Sequence, residues 1–352
     1  MAPGDLLHYL GECRDLVLAE IRRIIPSDRR RGAALYELML DYPLREAKGL
    51  RPALCIATCR ALGGTIESVL RSAAALELYH NAFLIHDDIE DESLMRRGSA
   101  TLHRAHGIPI AVNVGDAMLA LSLQPLLDNI AVLGLGPSLR ILQAVARMTR
   151  ESVEGQACEL DWIRREEWDL SDVDYIGMVE QKTCYYSFVT PVIVGAIAAR
   201  LDSPRLDRLA EFARRLGVAF QIQDDILNLT GDVGEYGKEI DGDLWEGKRT
   251  LILLHMMRAA ARTHRAEAAR ILALPRPGAA HARADVVKRA DDIRLLKDLI
   301  ERHGSVEHAR RVARSWADEA QRAFDECAGD LLPGAHRDLL QGLIGYVVDR
   351  VR

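Results

Sequence analysis

Ala82-Phe83-Leu84-Ile85-His86-Asp87-Asp88-Ile89-Glu90-Asp91 and Val218-Ala219-Phe220-Gln221-Ile222-Gln223-Asp224-Asp225-Ile226-Leu227-Asn228 decide how this chain is read. Each is an apolar helical stretch that runs into a cluster of acids. Carboxylates beside apolar surface need a charge partner, because burying them uncompensated is costly. Clustered oxygen ligands suit Mg²⁺, which keeps several waters and shares substrate phosphates. Asp87 and Asp91 are four apart, as are Asp224 and Asn228, so each pair shares one helical face. Two such faces turned towards each other would clamp several Mg²⁺ ions and a diphosphate. Asp88 and Asp225 are further metal-ligand candidates within the clusters.

Outward from these clusters, helical periodicity recurs almost throughout. It predicts helices over Arg51–Leu62, Ile66–Ile89, Ala111–Ile130, Pro137–Glu159 and Asp172–Arg200, the last interrupted by Pro191. Leu206–Leu229, Thr250–Ala261, Asp285–Arg302, Ser305–Ala328 and Ala335–Val351 follow. Strand signals are scarce. Thr230–Lys248 holds five glycines and reads as a mobile loop, placed where a lid would be useful. Arg262–Ala284, with Pro275 and Pro277, reads as a surface excursion. The expectation is all-α: a large helical bundle, residues 1–352 forming one domain.

Composition agrees. The chain has 352 residues, 49% of them apolar and only 12 of them proline, with Leu, Ala, Arg and Glu abundant. These residues lose little on entering a helix. The net charge of -6 argues against a nucleic-acid partner, which usually meets a basic excess. No run reaches about 18 uninterrupted apolar residues and the first residues lack a basic-then-apolar leader, so neither a membrane span nor a signal peptide is expected. Cys55 and Cys59 share a helix face without a second ligand pair and read as buried structural cysteines rather than zinc ligands. A reducing cytoplasm fits.

The chain resembles the trans-polyprenyl diphosphate synthases, head-to-tail isoprenyl transferases that include farnesyl and geranylgeranyl diphosphate synthases. The resemblance runs from Lys48 to Leu254 in order and spacing. An isolated DDxxD is a weak signal; the set together is strong. Lys48-Gly49-Leu50-Arg51-Pro52 and His80 match the residues that hold isopentenyl diphosphate. Asp87-Asp88-x-x-Asp91 followed by Arg96-Arg97-Gly98 matches the first metal motif, with Arg96 implied at the allylic diphosphate and Arg97 at the isopentenyl one. Gln181-Lys182-Thr183 and Phe220-Gln221 match the lining of the allylic pocket. Gly155-Gln156 also fits the pattern, with no role implied. Asp224-Asp225-Ile226-Leu227-Asn228, Gly237-Lys238 and Asp243-Leu244-x-Glu246-Gly247-Lys248 match the second motif and its lysines. That motif usually ends in Asp; Asn228 carries less charge for a metal, while Asp224 remains the main implied ligand.

The resemblance implies a Mg²⁺-dependent ionisation, condensation and elimination. Asp87, Asp91 and Asp224 would hold metal on the allylic diphosphate, with Arg96, Lys182, Lys238 and Lys248 stabilising it. Lys48, Arg51, His80 and Arg97 would orient isopentenyl diphosphate. The departing diphosphate would take the final proton, so no side chain need act as base. The helix before Asp87 would line the tunnel for the growing tail. The position five back lies roughly 7.5 Å deeper. It is Ala82, an open gate above a floor at Tyr79, with Phe83 beside it. That suggests a C20 product first, C15 second and C25 or longer third. A terpene cyclase and a non-catalytic synthase subunit are rivals. Both are disfavoured, the first by an isopentenyl site it has no use for and the second by the retained acids. A homodimer is implied; Arg350 and Arg352 read as a solvated tail.

Overall fold

The computed structural model of the chain describes residues 3–26, 32–231, 240–278 and 285–349. Lys238, Arg350 and Arg352 lie outside the described residues. The fold is all-α. Helices α1 (Pro3–Ile24), α2 (Ala33–Leu44) and α3 (Leu50–Ala61) lead into α4 (Ile66–Glu90). A capping box starts α4, with Thr65 and Ser68 each satisfying the other's backbone N–H. From Ser72 to Ala82 every residue of α4 is buried, as expected of a helix that crosses the middle of a core.

The only strands among the described residues form a two-stranded hairpin, β1 (Met95–Arg96) and β2 (Ser99–Ala100), with Arg96 paired to Ser99. Its turn residues Arg97 and Gly98 have φ of 51° and 74°. Positive φ at both positions suits the type I′ hairpin turn, and it holds Arg97 in a conformation that side chains rarely adopt.

After α5 (Leu102–His106), the stretch expected as one helix over 111–130 is three: α6 (Ile108–Leu121), α7 (Leu123–Asp128) and α8 (Ile130–Leu133). Then come α9 (Leu135–Arg164) and α10 (Asp172–Val179). The expected break at Pro191 is displaced. Residues Glu180–Val189 form a π-helix that runs directly into α11 (Thr190–Ala198), with Pro191 in the first turn after the junction. α12 (Ser203–Thr230) ends in the second acidic cluster. Within the 230–248 stretch read as a loop, α13 (Gly242–Glu246) is helical, and residues 232–239 are not among those described. The expected excursion after 262 begins instead with a helix, α15 (Arg262–Ala273), which follows α14 (Leu251–Ala259) and buries Ala268, Ile271 and Leu272. α16 (Ala290–Arg302), α17 (Ser305–Cys327) and α18 (Ala335–Asp349) complete the order.

Two apolar clusters hold the helices together, and α12 serves both. Leu209, Phe212, Leu216 and Ala219 join the cluster built on α1, α3, α4, α11 and α18. Val218, Ile222 and Ile226 join the cluster built on α10 and α14 to α17. Burying one such side chain contributes about 1.5–3 kcal/mol, and Ile222 and Ile226 anchor the end of α12 that carries the acids in the second cluster. All six cysteines are free, and Cys55 and Cys59 are buried as expected.

Candidate active site

One cavity of about 510 Å³ lies where α4, α9, α12 and the π-helix meet. Asp87 and Asp224 line it from different helices, so the two acidic motifs do face a common space. Lys48, Arg51, His80 and Arg97 line one part of it, and Lys182, Thr183, Gln221, Asp225, Asp243 and Lys248 another.

The two halves differ in electrostatics. In the first, Arg51 donates to His80 Nε2 at 3.0 Å and to Ser187 Oγ at 2.7 Å. Its guanidinium also lies 4.8 Å from the Tyr186 ring centroid. Arg97 donates to the Tyr42 carbonyl at 2.8 Å. Burial pushes Arg97 down to about 10, with the Glu77 carboxylate opposing and its guanidinium neighbours adding to the shift. Burial in turn pushes Glu77 up, with Arg51 and Arg97 opposing. Crowded, desolvated cations over one buried acid make a site that gains from an incoming anion. Lys48 adds another charge from the α2–α3 connection, 5.7 Å from the ring of Tyr346 on α18.

In the second half the cations sit on carboxylates. Lys182 pairs with Glu159 and stands 3.5 Å from Asp87. Burial works against its charge, but Glu159 and Asp87 outweigh burial and hold it raised. Glu159 is lowered: burial opposes its charge, and Lys182 and Lys248 overcome that. Lys248 bridges Asp91 at 2.7 Å and Glu246 at 3.0 Å. Burial pushes the Asp91 carboxyl above the usual range, with Lys248 opposing.

Four expected site residues, Asp88, Asp91, Ala82 and Tyr79, do not line this cavity. Asp88 turns away from the cavity: it is fully buried, accepts from Tyr42 Oη at 2.6 Å and from Arg96 Nε at 2.9 Å, and has no oxygen left to face a metal. Asp91 caps the end of α4 and does not line the cavity. Ala82 and Tyr79 do not line it either; both are buried in the core, and only Phe83 of the three chain-length candidates reaches the cavity wall. The reason is helical phase: positions four before Asp87 share its face better than those five or eight before. Asp225 lines the cavity but accepts from Tyr175 Oη at 2.7 Å and Gln221 Nε2 at 2.8 Å. Arg96 lines the cavity with its guanidinium committed to Asp88 and Asp87.

Several participants had no role assigned from the sequence. Arg45 pins the hairpin, donating to the carbonyls of Arg96 and Ala100 at 2.9 Å each. Gly155 lets α9 touch the π-helix: a Cβ there would lie 2.3 Å from the backbone nitrogen of Lys182. Glu159 follows four residues later on that buried face, the one sequence cue that it meets Lys182.

A family model, polyprenyl synthetase, matches residues 33–289. Geranylfarnesyl diphosphate synthase of Aeropyrum pernix is 30% identical over 333 residues, which are 93% of this chain and 96% of that one. The crystal structure of geranylgeranyl pyrophosphate synthetase from Pyrococcus horikoshii superposes with a TM-score of 0.84 at 27% identity over 99% of both chains. That of a geranylgeranyl pyrophosphate synthase from Corynebacterium glutamicum, complexed with isoprenyl diphosphate and magnesium, gives 0.82 at 25% identity over 98% of this chain and 99% of that one. Two acidic helices meeting over one cavity, with a cationic subsite beside them, thus occur in a chain that belongs to the polyprenyl synthetase family.

Proposed function

We propose that this trans-prenyltransferase condenses isopentenyl diphosphate head-to-tail with an allylic diphosphate, and that its main product is geranylgeranyl diphosphate. The observation that carries the reading is the split cavity: Lys48, Arg51 and Arg97 on one side, Asp87 and Asp224 on the other. The cationic side binds one diphosphate directly. The acidic side suits a diphosphate that arrives with Mg²⁺. Among the described residues no three His, Cys, Asp or Glu side chains converge into a preformed cage. Waters and phosphate oxygens would complete the coordination of Mg²⁺ on Asp87 and Asp224, with Asp91 joining once Lys248 turns to phosphate. The metal would make the allylic diphosphate a better leaving group.

The chain's own groups do the rest. Lys182 and Lys248 exchange carboxylate partners for leaving-group oxygens, presenting fixed charge where charge develops. Lys238 would act beside them. Arg51, His80 and Arg97 orient isopentenyl diphosphate so that its double bond faces the allylic carbon. Thr183, Gln221 and the aromatic rings of Phe83, Tyr186 and Phe220 exclude water that would quench the cation. The chain works as one domain, as a homodimer, in the cytoplasm.

Supplying purified protein and Mg²⁺ with isopentenyl diphosphate and each of the C5, C10 and C15 allylic diphosphates tests this. A linear C20 diphosphate is expected. A C15 or C25 product retains the reaction and overturns the length. A hydrocarbon or alcohol formed without isopentenyl diphosphate replaces the reading with a terpene cyclase.

A further inference from the structure

A second cavity, of about 340 Å³, lies behind the segment that carries Lys248. Its size is at the lower end of small-molecule sites. Glu90 and Arg249 line both this cavity and the candidate active site, so one wall separates the two spaces. Arg249, Arg276 and Lys288 reach it from three connections, before α14, after α15 and before α16. They are 2%, 5% and 1% exposed. Neutral carbonyls hold two of them. Lys288 donates to the Trp245 carbonyl at 2.6 Å, and Arg249 to those of Glu167 and Gly247 at 3.0 and 2.5 Å. The Arg249 guanidinium also lies 4.1 Å from the Trp168 ring centroid. A carbonyl satisfies an N–H but does not neutralise the charge behind it, and buried charge is costly. Burial pushes Lys288 down to about 8 and Arg249 down to about 10, with Glu246 opposing at the first and Glu159 at the second. Desolvated cations of this kind, grouped in a cleft, mark a place for an anion.

Carboxylates line the same cavity and narrow the choice of anion. Glu90, Asp91, Glu92 and Glu246 are among them. Asp91 and Glu246 bind Lys248 at 2.7 and 3.0 Å, and Arg276 stands 3.8 Å from Glu246. Charges of alternating sign therefore run from the active-site lysine to the second cavity. A bare anion would be repelled by these acids, whereas a diphosphate carrying Mg²⁺ presents both signs at once. We propose that the second cavity receives the diphosphate released by condensation, still carrying Mg²⁺, with Arg249, Arg276 and Lys288 on its phosphate oxygens. The transfer role rests on the prenyltransferase reading; the binding site rests on geometry alone. The allylic C–O bond breaks in the first cavity, and the diphosphate formed there crosses the wall at Arg249. The acidic motifs are then vacant for the next allylic diphosphate.

Calorimetric titration of the full chain with sodium diphosphate and Mg²⁺ at pH 7, where Lys288 is charged, tests the site without turnover. The double variant Arg276→Met/Lys288→Met is expected to show one binding site fewer than wild type. Equal site numbers and affinities in the two proteins overturn the proposal and leave the prenyltransferase reading standing. If the double variant unfolds by circular dichroism, Lys288→Met alone decides. It should weaken one site by at least about tenfold, the scale of one hydrogen bond to a charged group, and unchanged affinity overturns the proposal. Orthophosphate that displaces diphosphate from this site at equal concentration overturns the assignment to the leaving group. Rapid-quench kinetics test the transfer role: in Lys288→Met later turnovers should slow relative to the first, the mark of impaired release. A wild-type ratio of first to later turnovers overturns the transfer role. A wild type that shows the site but condenses nothing refutes the prenyltransferase reading and the transfer role with it, and leaves the binding site standing.

Discussion

The side-chain oxygen of Asn228 accepts a hydrogen bond from the backbone N–H of Asp243 at 3.0 Å, while its own carbonyl accepts from Asp241 N–H at 2.8 Å. The residue that departs from the usual acidic pattern is therefore a clip. It ties the end of α12 to α13 and so positions Asp243 and Lys248 at the cavity. Losing a buried hydrogen-bond partner costs about 1–3 kcal/mol, roughly 5- to 150-fold if it falls on the transition state. Asn228→Ala should lower kcat/KM within that range, whereas Asn228→Asp, which keeps the accepting oxygen, should lose much less. Steady-state kinetics with the allylic diphosphate decide; equal losses in the two variants would refute the clip.

The adjacent acids Asp87 and Asp88 should separate cleanly. Asp88 is the buried counter-charge of Arg96 and the acceptor of Tyr42. Removing one partner of a buried ion pair costs about 3–5 kcal/mol. Asp88→Asn should unfold at lower denaturant concentration. Asp87→Asn should remain near wild-type stability and lose the Mg²⁺ dependence of activity. Denaturant titration and Mg²⁺ titration of both variants check this, and a stable, inactive Asp88→Asn would return Asp88 to the metal.

Much of this was legible in the chain. The runs before Asp87 and Asp224 were long, apolar and periodic, which placed α4 and α12 and brought their acids to one cavity. What sequence could not show was phase and partnership. Asp88 and Asp87 are alike as letters, and only the position of Tyr42, 46 residues earlier, decides which carboxylate is spent on structure. The π-helix was hidden because Glu180–Val189 keeps helical composition while shifting its register. Ala82 is buried and stands off the cavity wall, because depth along a helix says nothing of rotation around it.

Gly155 should tolerate no side chain. A Cβ would meet backbone atoms of Lys182 at 2.3 and 2.8 Å, and backbone cannot swing aside. Gly155→Ala should destabilise the protein by about 1–3 kcal/mol, the usual scale of overpacking. Because the π-helix must move, KM for the allylic substrate should rise as well. A variant with wild-type melting and KM would show that α9 and the π-helix separate freely.

Phe83 and Ala82 should behave oppositely when exchanged for each other's residue type. Phe83 projects to the cavity and meets Tyr79 and Tyr186 edge-on, at 6.0 and 5.6 Å between centroids. Phe83→Ala opens the cavity and should lengthen the product by one or more C5 units. Ala82→Phe adds a ring to a fully buried core position and should cost about 1–3 kcal/mol. Product chromatography and thermal melting distinguish them; a shorter product from a fully stable Ala82→Phe would restore the depth-based tunnel.

Lys288 is the clearest stability switch in the molecule. It is 1% exposed and donates to the Trp245 carbonyl at 2.6 Å, behind the segment that carries Lys248. Burial pushes it down to about 8, with Glu246 opposing and Arg249 and Arg276 adding to the shift. An unfolded lysine titrates near 10.4, so between about pH 8 and 10.4 the unfolded chain holds a proton that the folded chain has released. Stability contributed by this group therefore rises with pH across that window and is lowest, by roughly 3 kcal/mol, below it. Lys288→Met removes the penalty and leaves one carbonyl without its donor, a loss of about 1 kcal/mol. At pH 7 the variant should be more stable than wild type by about 2 kcal/mol, and above pH 10.5 it should be less stable by about 1 kcal/mol. Urea unfolding of both proteins at pH 7, 8.5 and 10.5 measures the difference directly. A difference that stays constant over this range would mean that Lys288 keeps its proton in the folded state, held by Glu246.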